Sequence, residues 1–530
     1  MVPSPEGRRS ERRHPPRAGR PPGTRARRRL AAAVLAPLLA ASLTACGTAG
    51  AQDRGTEFRW GYSTRATTLD PHKGAQFDLI FLHPVYDALV KIDKDGNFVP
   101  GLATEWKLSE DGLTFDLTLR KGVRFQDGAV LDAAAVKASL ERARQPRSTV
   151  SGDLEVVRSV EVVDPHHLRL RLSKPGGHLL GVLAGEAGMV ISPRAVNAPG
   201  LAKRPVGAGP YRVVSYTMRQ VTYEKWDGYW DAASVTMPRL KIITMTDDST
   251  RLRALLSRQL DAAYLRPSHT ARLRSAGITL QSEPRSLVYF AVVNTARPGL
   301  RDPRVRKALS QAIDRVGIDK NLQSDGCTPT VQPFISRYWP HVPGLEQRPD
   351  AVFDPARARA QLAQAGYGPG RPLRITITSP NITQYQILAE ALEAQFRKVG
   401  IQAELNVVDT AQSTPTLRTG KFDVMVTPID VGRPDPSTFV ADYLLPSGSV
   451  NPGKFEVPGG ADLLDEARRH LEPAGQQKPL REVFRRAFEA GLPLIPICAP
   501  DNVVGLQRGV GGIVIPPTGT YEFRGTHVAG

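Results

Sequence analysis

The stretch over residues 374–408 constrains this chain more than any other. Residues 374–378 and 403–408 alternate apolar and polar side chains as short strands do, and residues 386–399 between them place apolar residues at helical spacing before Gly400. Two strands joined through a helix lie parallel, and their connection is right-handed. Other segments follow a different rule. Residues 113–119 (LTFDLTL) and His167–Leu172 (HLRLRL) alternate at period two, so residues 100–175 are expected to be rich in antiparallel sheet. Residues 301–315 again carry helical spacing, and Pro/Gly punctuation at residues 205–210 and 297–299 marks crossings between lobes. No repeat is present. The expectation is a mixed α/β protein with more than one lobe.

The first residues describe an address. Arg25, Arg27, Arg28 and Arg29 precede an uncharged run over residues 30–43, which is shorter than the roughly 20 apolar residues a membrane span needs. Leu43-Thr44-Ala45-Cys46 closes that run with small residues and a cysteine, a pattern that resembles a bacterial lipobox, in which the cysteine is acylated and becomes the new N-terminus. Residues 1–45 are therefore expected to be a lipoprotein signal peptide and residues 46–57 a lipid-anchored tether, with an ordinary signal peptide as the competing reading. The protein is expected outside the cytoplasm, lipid-anchored to the cell membrane, with Sec and Tat export both open.

Charge follows from this. The formal net charge of +18 includes ten arginines against Glu6 and Glu11 in residues 1–45, so only about +10 belongs to the rest of the chain. The remaining bases are scattered among acids rather than clustered with aromatics, which argues against a nucleic-acid partner. With 41% hydrophobic residues, the chain can bury two or three cores. Beyond Cys46 there are two cysteines, Cys327 and Cys498, 171 positions apart. Outside the cytoplasm they can pair, but nothing in their spacing decides it. No CxxC or Cys/His spacing suggests zinc.

Several runs accumulate along the chain. Thr68-Leu69-Asp70-Pro71-His72 is followed by Val85-Tyr86-Asp87-Ala88-Leu89-Val90 and Pro100-Gly101-Leu102-Ala103-Thr104-Glu105-Trp106. Then come Leu119-Arg120-Lys121-Gly122-Val123-Arg124-Phe125-Gln126-Asp127-Gly128, Pro205-Val206-Gly207-Ala208-Gly209-Pro210-Tyr211, and Asp302-Pro303-Arg304-Val305-Arg306-Lys307-Ala308-Leu309. In this order the set resembles the extracellular solute-binding proteins of family 5, the peptide and nickel class of ABC-importer receptors. The resemblance covers about residues 58–525. It implies an α/β, periplasmic-binding-protein-like clamshell of two lobes with an additional inserted domain. Mapped here, lobe 1 takes residues 58–92, 205–285 and 500–530, the inserted domain 93–204, and lobe 2 286–499. The implied protein is a monomer that hands a peptide or peptide-like solute to permease and ATPase subunits, with no cofactor.

The ligand residues depart from the family pattern. In peptide-binding relatives a carboxylate three residues before the Asp of an Asp-Pro pair holds the free amine; counting back from Asp435 lands on Gly432. Asp430 lies two positions away and can substitute if the loop bulges, or it is a solvated loop acid. Arg433 can meet a ligand acid or face solvent. The loop over residues 379–384, where dipeptide-type relatives carry an arginine, holds Asn381 and Gln384 but no base. On the first lobe, His72, Gly74, Gln76 and Phe77 occupy the segment that lines the family's cleft.

Other classes leave weaker traces. No HxH or HxxxH pair favours a nickel chelate, and His166-His167 on a strand edge would point apart. Gly-x-Ser-x-Gly and HExxH are absent, so no catalytic residue or metal site is assigned.

Overall fold

The computed structural model describes residues 55–74, 78–432 and 435–529. Cys46, Gln76, Phe77 and Arg433 lie outside the described residues. Twelve strands among the described residues form one large sheet. In chain order they are β1 (Glu57–Tyr62), β2 (Tyr211–Tyr216), β3 (Gln220–Lys225), β4 (Arg239–Thr244), β5 (Ala262–Leu265), β6 (Thr279–Pro284), β7 (Leu287–Val293), β8 (Cys327–Pro329), β9 (Arg374–Pro380), β10 (Gln402–Val408), β11 (Val424–Asp430) and β12 (Leu494–Leu506). Across the sheet they run β10-β9-β11-β7-β12-β5-β1-β4-β3-β2, with β6 and β8 also paired to β12.

The strand, helix, strand unit forms as expected. β9 and β10 are parallel from Arg374↔Gln402 to Pro380↔Val408. The helix between them, Thr383–Lys398, buries Leu388, Ala389, Leu392 and Phe396, and Gly400 takes φ +89° just beyond its end. It starts three residues before the apolar spacing does, because its first turn is polar. Residues 301–315 do not form a single helix. Asp302 caps Pro303–Gln311 and Asp314 caps Arg315–Leu322, each side chain accepting a hydrogen bond from a backbone N–H of the first turn.

The period-two segments build a separate sheet. Its strands run Ala103–Leu108, Thr114–Leu119, His167–Leu172, Val157–Asp164, all antiparallel. Phe115, Leu117, Leu168 and Leu170 point to one face and are buried with Val136 and Leu140 of the helix Ala133–Ala143. This sheet therefore carries its own core. It joins the rest through polar contacts: Gln126 Nε2 donates to the Tyr211 carbonyl at 2.7 Å, and Arg142 pairs with Asp70 at 2.6 Å.

Two ribbons of the chain pass from one half of the large sheet to the other. β12 pairs with β7 and β8 through residues 494–500 and with β5 and β6 through residues 501–506. Beside it, β6 ends at Pro284 and β7 begins at Leu287, leaving Arg285 and Ser286 at the crossing. Cys327 and Cys498 form a disulfide there, tying β8 to β12. Trp60, Phe58 and Phe523 centre the core on one side. Phe290, Phe334, Phe439 and Phe484 centre a core on the other.

Candidate functional site

Parallel strands present ligands at their carboxyl ends, because that is where loops and helix N-termini gather. Here both halves aim those ends at the crossing. On one side Tyr62 ends β1, and Tyr264 and Arg266 sit at and just beyond the end of β5. On the other, Asn381 and Tyr385 follow β9, and Asp430 ends β11 opposite Leu287 at the start of β7. Arg285 comes from a segment that joins the halves, and Tyr521 from the chain beyond β12.

These groups face one another. The rings of Tyr62 and Tyr264 are 6.1 Å apart, Tyr62 and Tyr521 6.0 Å, and Tyr289 and Tyr385 5.7 Å. Arg285 interacts with Tyr264, Tyr521, Tyr62 and Asp430, and Tyr289 with Tyr385, Tyr264, Arg285 and Arg266. Burial pushes the hydroxyl of Tyr385 up to about 12 and those of Tyr289 and Tyr521 higher still. They are neutral phenols that offer ring faces and hydroxyls to a ligand. Burial disfavours the charge on Arg285, but the groups facing it outweigh that effect and raise its pKa. The hydroxyl of Tyr521 donates to Asn502 Oδ1 at 2.6 Å, while Asn502 Nδ2 is buried without a partner among the described residues.

Beside this cluster opens a cavity of about 570 Å³, large enough for a small peptide. Gly74 and Tyr521 border it, as do Lys91, Glu522 and Arg524 from one side and Thr414 and Arg418 from the other. Its floor is a charge network: Lys91 pairs with Asp87 at 2.7 Å, and Arg524 with Glu522 at 3.0 Å. Burial raises the Asp87 carboxyl, but Lys91 and Arg524 pull it below the usual carboxylate range.

The expected ligand residues fall into three groups. Asp430 and Gly432 meet at the crossing: Asp430 Oδ1 accepts from Ser286 Oγ at 2.6 Å and from Gly432 N at 3.3 Å, and Tyr338 donates its hydroxyl to the Gly432 carbonyl at 3.3 Å. Asn381 sits at the same sheet edge but is exposed, its Oδ1 accepting from Gln386. Gly74 lies on the cavity, where its carbonyl accepts from Thr149 Oγ1 at 2.9 Å. His72 and Asp435 are placed elsewhere. His72 is 1% exposed, packed in a seam beside the Asp70–Arg142 ion pair of 2.6 Å. Burial, then Arg142, lowers its pKa to about 3, so it is a neutral imidazole. Asp435 is a buried cap of the helix Pro436–Tyr443, accepting from Ser437 N at 2.8 Å, and burial raises its carboxyl to about 6.

Sequence reasoning missed Tyr62, Tyr264, Arg266, Arg285, Tyr289, Tyr385 and Tyr521. They come from separate segments with no shared motif. The one usable signal was positional, since Tyr62, Tyr264 and Arg266 stand at ends of strands that follow parallel pairing.

Two α/β halves joined by crossing strands, with a separate antiparallel domain and a cleft at the crossing, define a periplasmic-binding-protein-like clamshell. The murein tripeptide binding protein MppA of Escherichia coli superposes with a TM-score of 0.74 at 21% identity, covering 89% of this chain and 98% of its own. The peptide-complexed DppA of Helicobacter pylori gives 0.76 at 21% identity, over 90% and 99%. Residues 97–451 match the description "Bacterial extracellular solute-binding proteins, family 5 Middle". The chain belongs to that family. The glutathione-binding protein GsiB of Salmonella paratyphi A is 31% identical over 360 residues, 65% of this chain and 68% of that protein. Its counterpart from Escherichia coli O1:K1 / APEC is 29% identical over 487 residues, 86% and 92%.

Proposed function

We propose that this protein captures a small peptide or peptide-like solute in the cleft at the crossing and delivers it to an ABC permease and its ATPase. The observation that carries this is the set of tyrosine rings, Arg285 and Asp430 converging from both sides of the crossing strands. Such a surface binds a solute of mixed character through ring faces, hydroxyls and charge, without any group poised for chemistry. A relative at 31% identity carries glutathione in its name, and glutathione is itself a tripeptide. The chain divides, in this reading, into lobe 1 (58–92, 205–285, 500–530), an inserted domain (93–204) and lobe 2 (286–499), hinged where β6, β7 and β12 cross. Ligand would stabilise the closed member of a hinge equilibrium. Cys46 would carry the lipid anchor on a monomeric, non-catalytic receptor.

Small-angle scattering and mass spectrometry test this together. Addition of glutathione or a tripeptide should shrink the radius of gyration, and the solute should be recovered unaltered. An unchanged particle with every peptide tried, or a chemically converted solute, would remove the receptor reading.

A further inference from the structure

The crossing holds a cation whose role the fold does not account for. Arg285 lies between β6 and β7, where the chain passes from one half to the other. Its stem packs so closely on residue 519 that a Cβ added to Gly519 would fall 2.8 Å from Arg285 Cδ. Its guanidinium lies within electrostatic reach of Tyr62, Tyr264 and Tyr521, of Tyr289 and Tyr385, and of Asp430. Among the described residues no carboxylate lies within 4 Å of it and no hydrogen bond of its guanidinium is found, whereas the buried Arg251, Arg306 and Arg315 each make at least three. Of the groups around Arg285, only Asp430 carries a carboxyl group; the others are phenols. Arg266, exposed at the end of β5, faces Tyr289 and Tyr385 and adds a second positive charge to the same space. A half-buried guanidinium keeps five donors that need acceptors, and its planar fork matches a carboxylate in a bidentate pair.

We propose that Arg285 binds a carboxylate of the solute, with Arg266 steering it electrostatically, so that the ligand class is peptide-like acids with a free carboxylate directed at the crossing. This rests on the receptor reading above and narrows it. It also relocates a charge: the loop over residues 379–384 has no base, and the crossing supplies one instead.

Isothermal titration of trialanine and triglycine, each as the free acid and as the C-terminal amide, against wild type, Arg285→Gln and Arg285→Lys tests the assignment. Wild type should hold the acids about tenfold to a hundredfold more tightly than the amides, the span expected for hydrogen bonds to a charged group. Arg285→Gln should lose that preference through a loss of acid affinity larger than any loss for the amides, and Arg285→Lys should keep part of it. Equal binding of acid and amide by wild type overturns the carboxylate site and leaves the receptor reading intact. Loss of acid and amide alike in Arg285→Gln also overturns it, because the arginine is then part of the scaffold. If no form binds to folded wild type, the receptor reading and this proposal fall together.

Discussion

Restoring a carboxylate at position 432 is the most direct way to ask what the cleft recognises, and the geometry sets a condition on it. A Cβ added to Gly432 would lie 2.7 Å from Ser286 Cβ and 2.8 Å from Ser286 Oγ. Rotation moves Oγ but leaves Cβ where it is. The Ser286 backbone cannot easily retreat, because its N–H donates to the Pro517 carbonyl at 2.8 Å and its carbonyl accepts from Val431 N at 2.9 Å. Gly432→Asp alone should therefore overpack the crossing at a cost of about 1–3 kcal/mol and lower the thermal midpoint. It should bind no free-amine peptide better than wild type does. Gly432→Asp with Ser286→Gly removes the two nearest atoms and leaves Tyr338 Cε1 at 3.2 Å, at the loss of the Ser286–Asp430 bond, worth about 1 kcal/mol. That double variant should gain a charge-assisted bond of about 1.5–3 kcal/mol, or roughly tenfold to a hundredfold, for free-amine over acetylated tripeptide. Titration of the two peptide forms against all three proteins gives the answer. A single Gly432→Asp protein with an unchanged midpoint and tighter amine binding would refute the steric argument, and a double variant blind to acetylation would refute the electrostatic one.

Three further outcomes are expected. His72 is neutral when folded, with a pKa near 3 against 6.5 for the free group, so the unfolded chain takes up its proton first and stability falls as pH drops below about 6.5. The loss amounts to about 2 kcal/mol at pH 5, and His72→Leu should gain on wild type in thermal midpoint between pH 7 and pH 5; a constant gap would count against it. Cys327→Ala with Cys498→Ala opens a loop of 171 residues, which chain entropy values at about 5 kcal/mol, so reductant should lower the melting point of wild type but not of the double variant. Cys46→Ser should move the protein from the membrane fraction to the soluble one, and retention with unchanged processing would exclude the lipid anchor.

How much of this could be read from the chain depends on how local each signal is. Residues 374–408 and 113–119 declare themselves because period and pairing partner lie within a short window. Gly432 could be located by counting from Asp435, but the obstruction by Ser286 depends on a residue at the crossing, 144 positions from Asp430 in sequence. His72 illustrates the opposite error. Its segment lines the family's cleft and suggested a ligand contact, yet Arg142 pairs beside it with Asp70, 72 positions away in sequence, and the imidazole is buried. The tyrosines and Arg285 share no local motif, because only strand order brings Tyr62, Tyr264, Tyr385 and Tyr521 to one place.

The strand order also governs how the chain can be made. β12 lies between β7 and β5, and each of the other eleven strands of the large sheet precedes it. A polypeptide that emerges N-terminus first can wind the β9–β10 unit early, but it leaves β5 and β7 as open edges until residues 494–506 arrive. Neither half can finish alone, so the growing chain stays unfastened for as long as it must remain threadable. A lesion confined to β12 should then abolish both halves together, whereas one in β2 or β10 would fray a single margin.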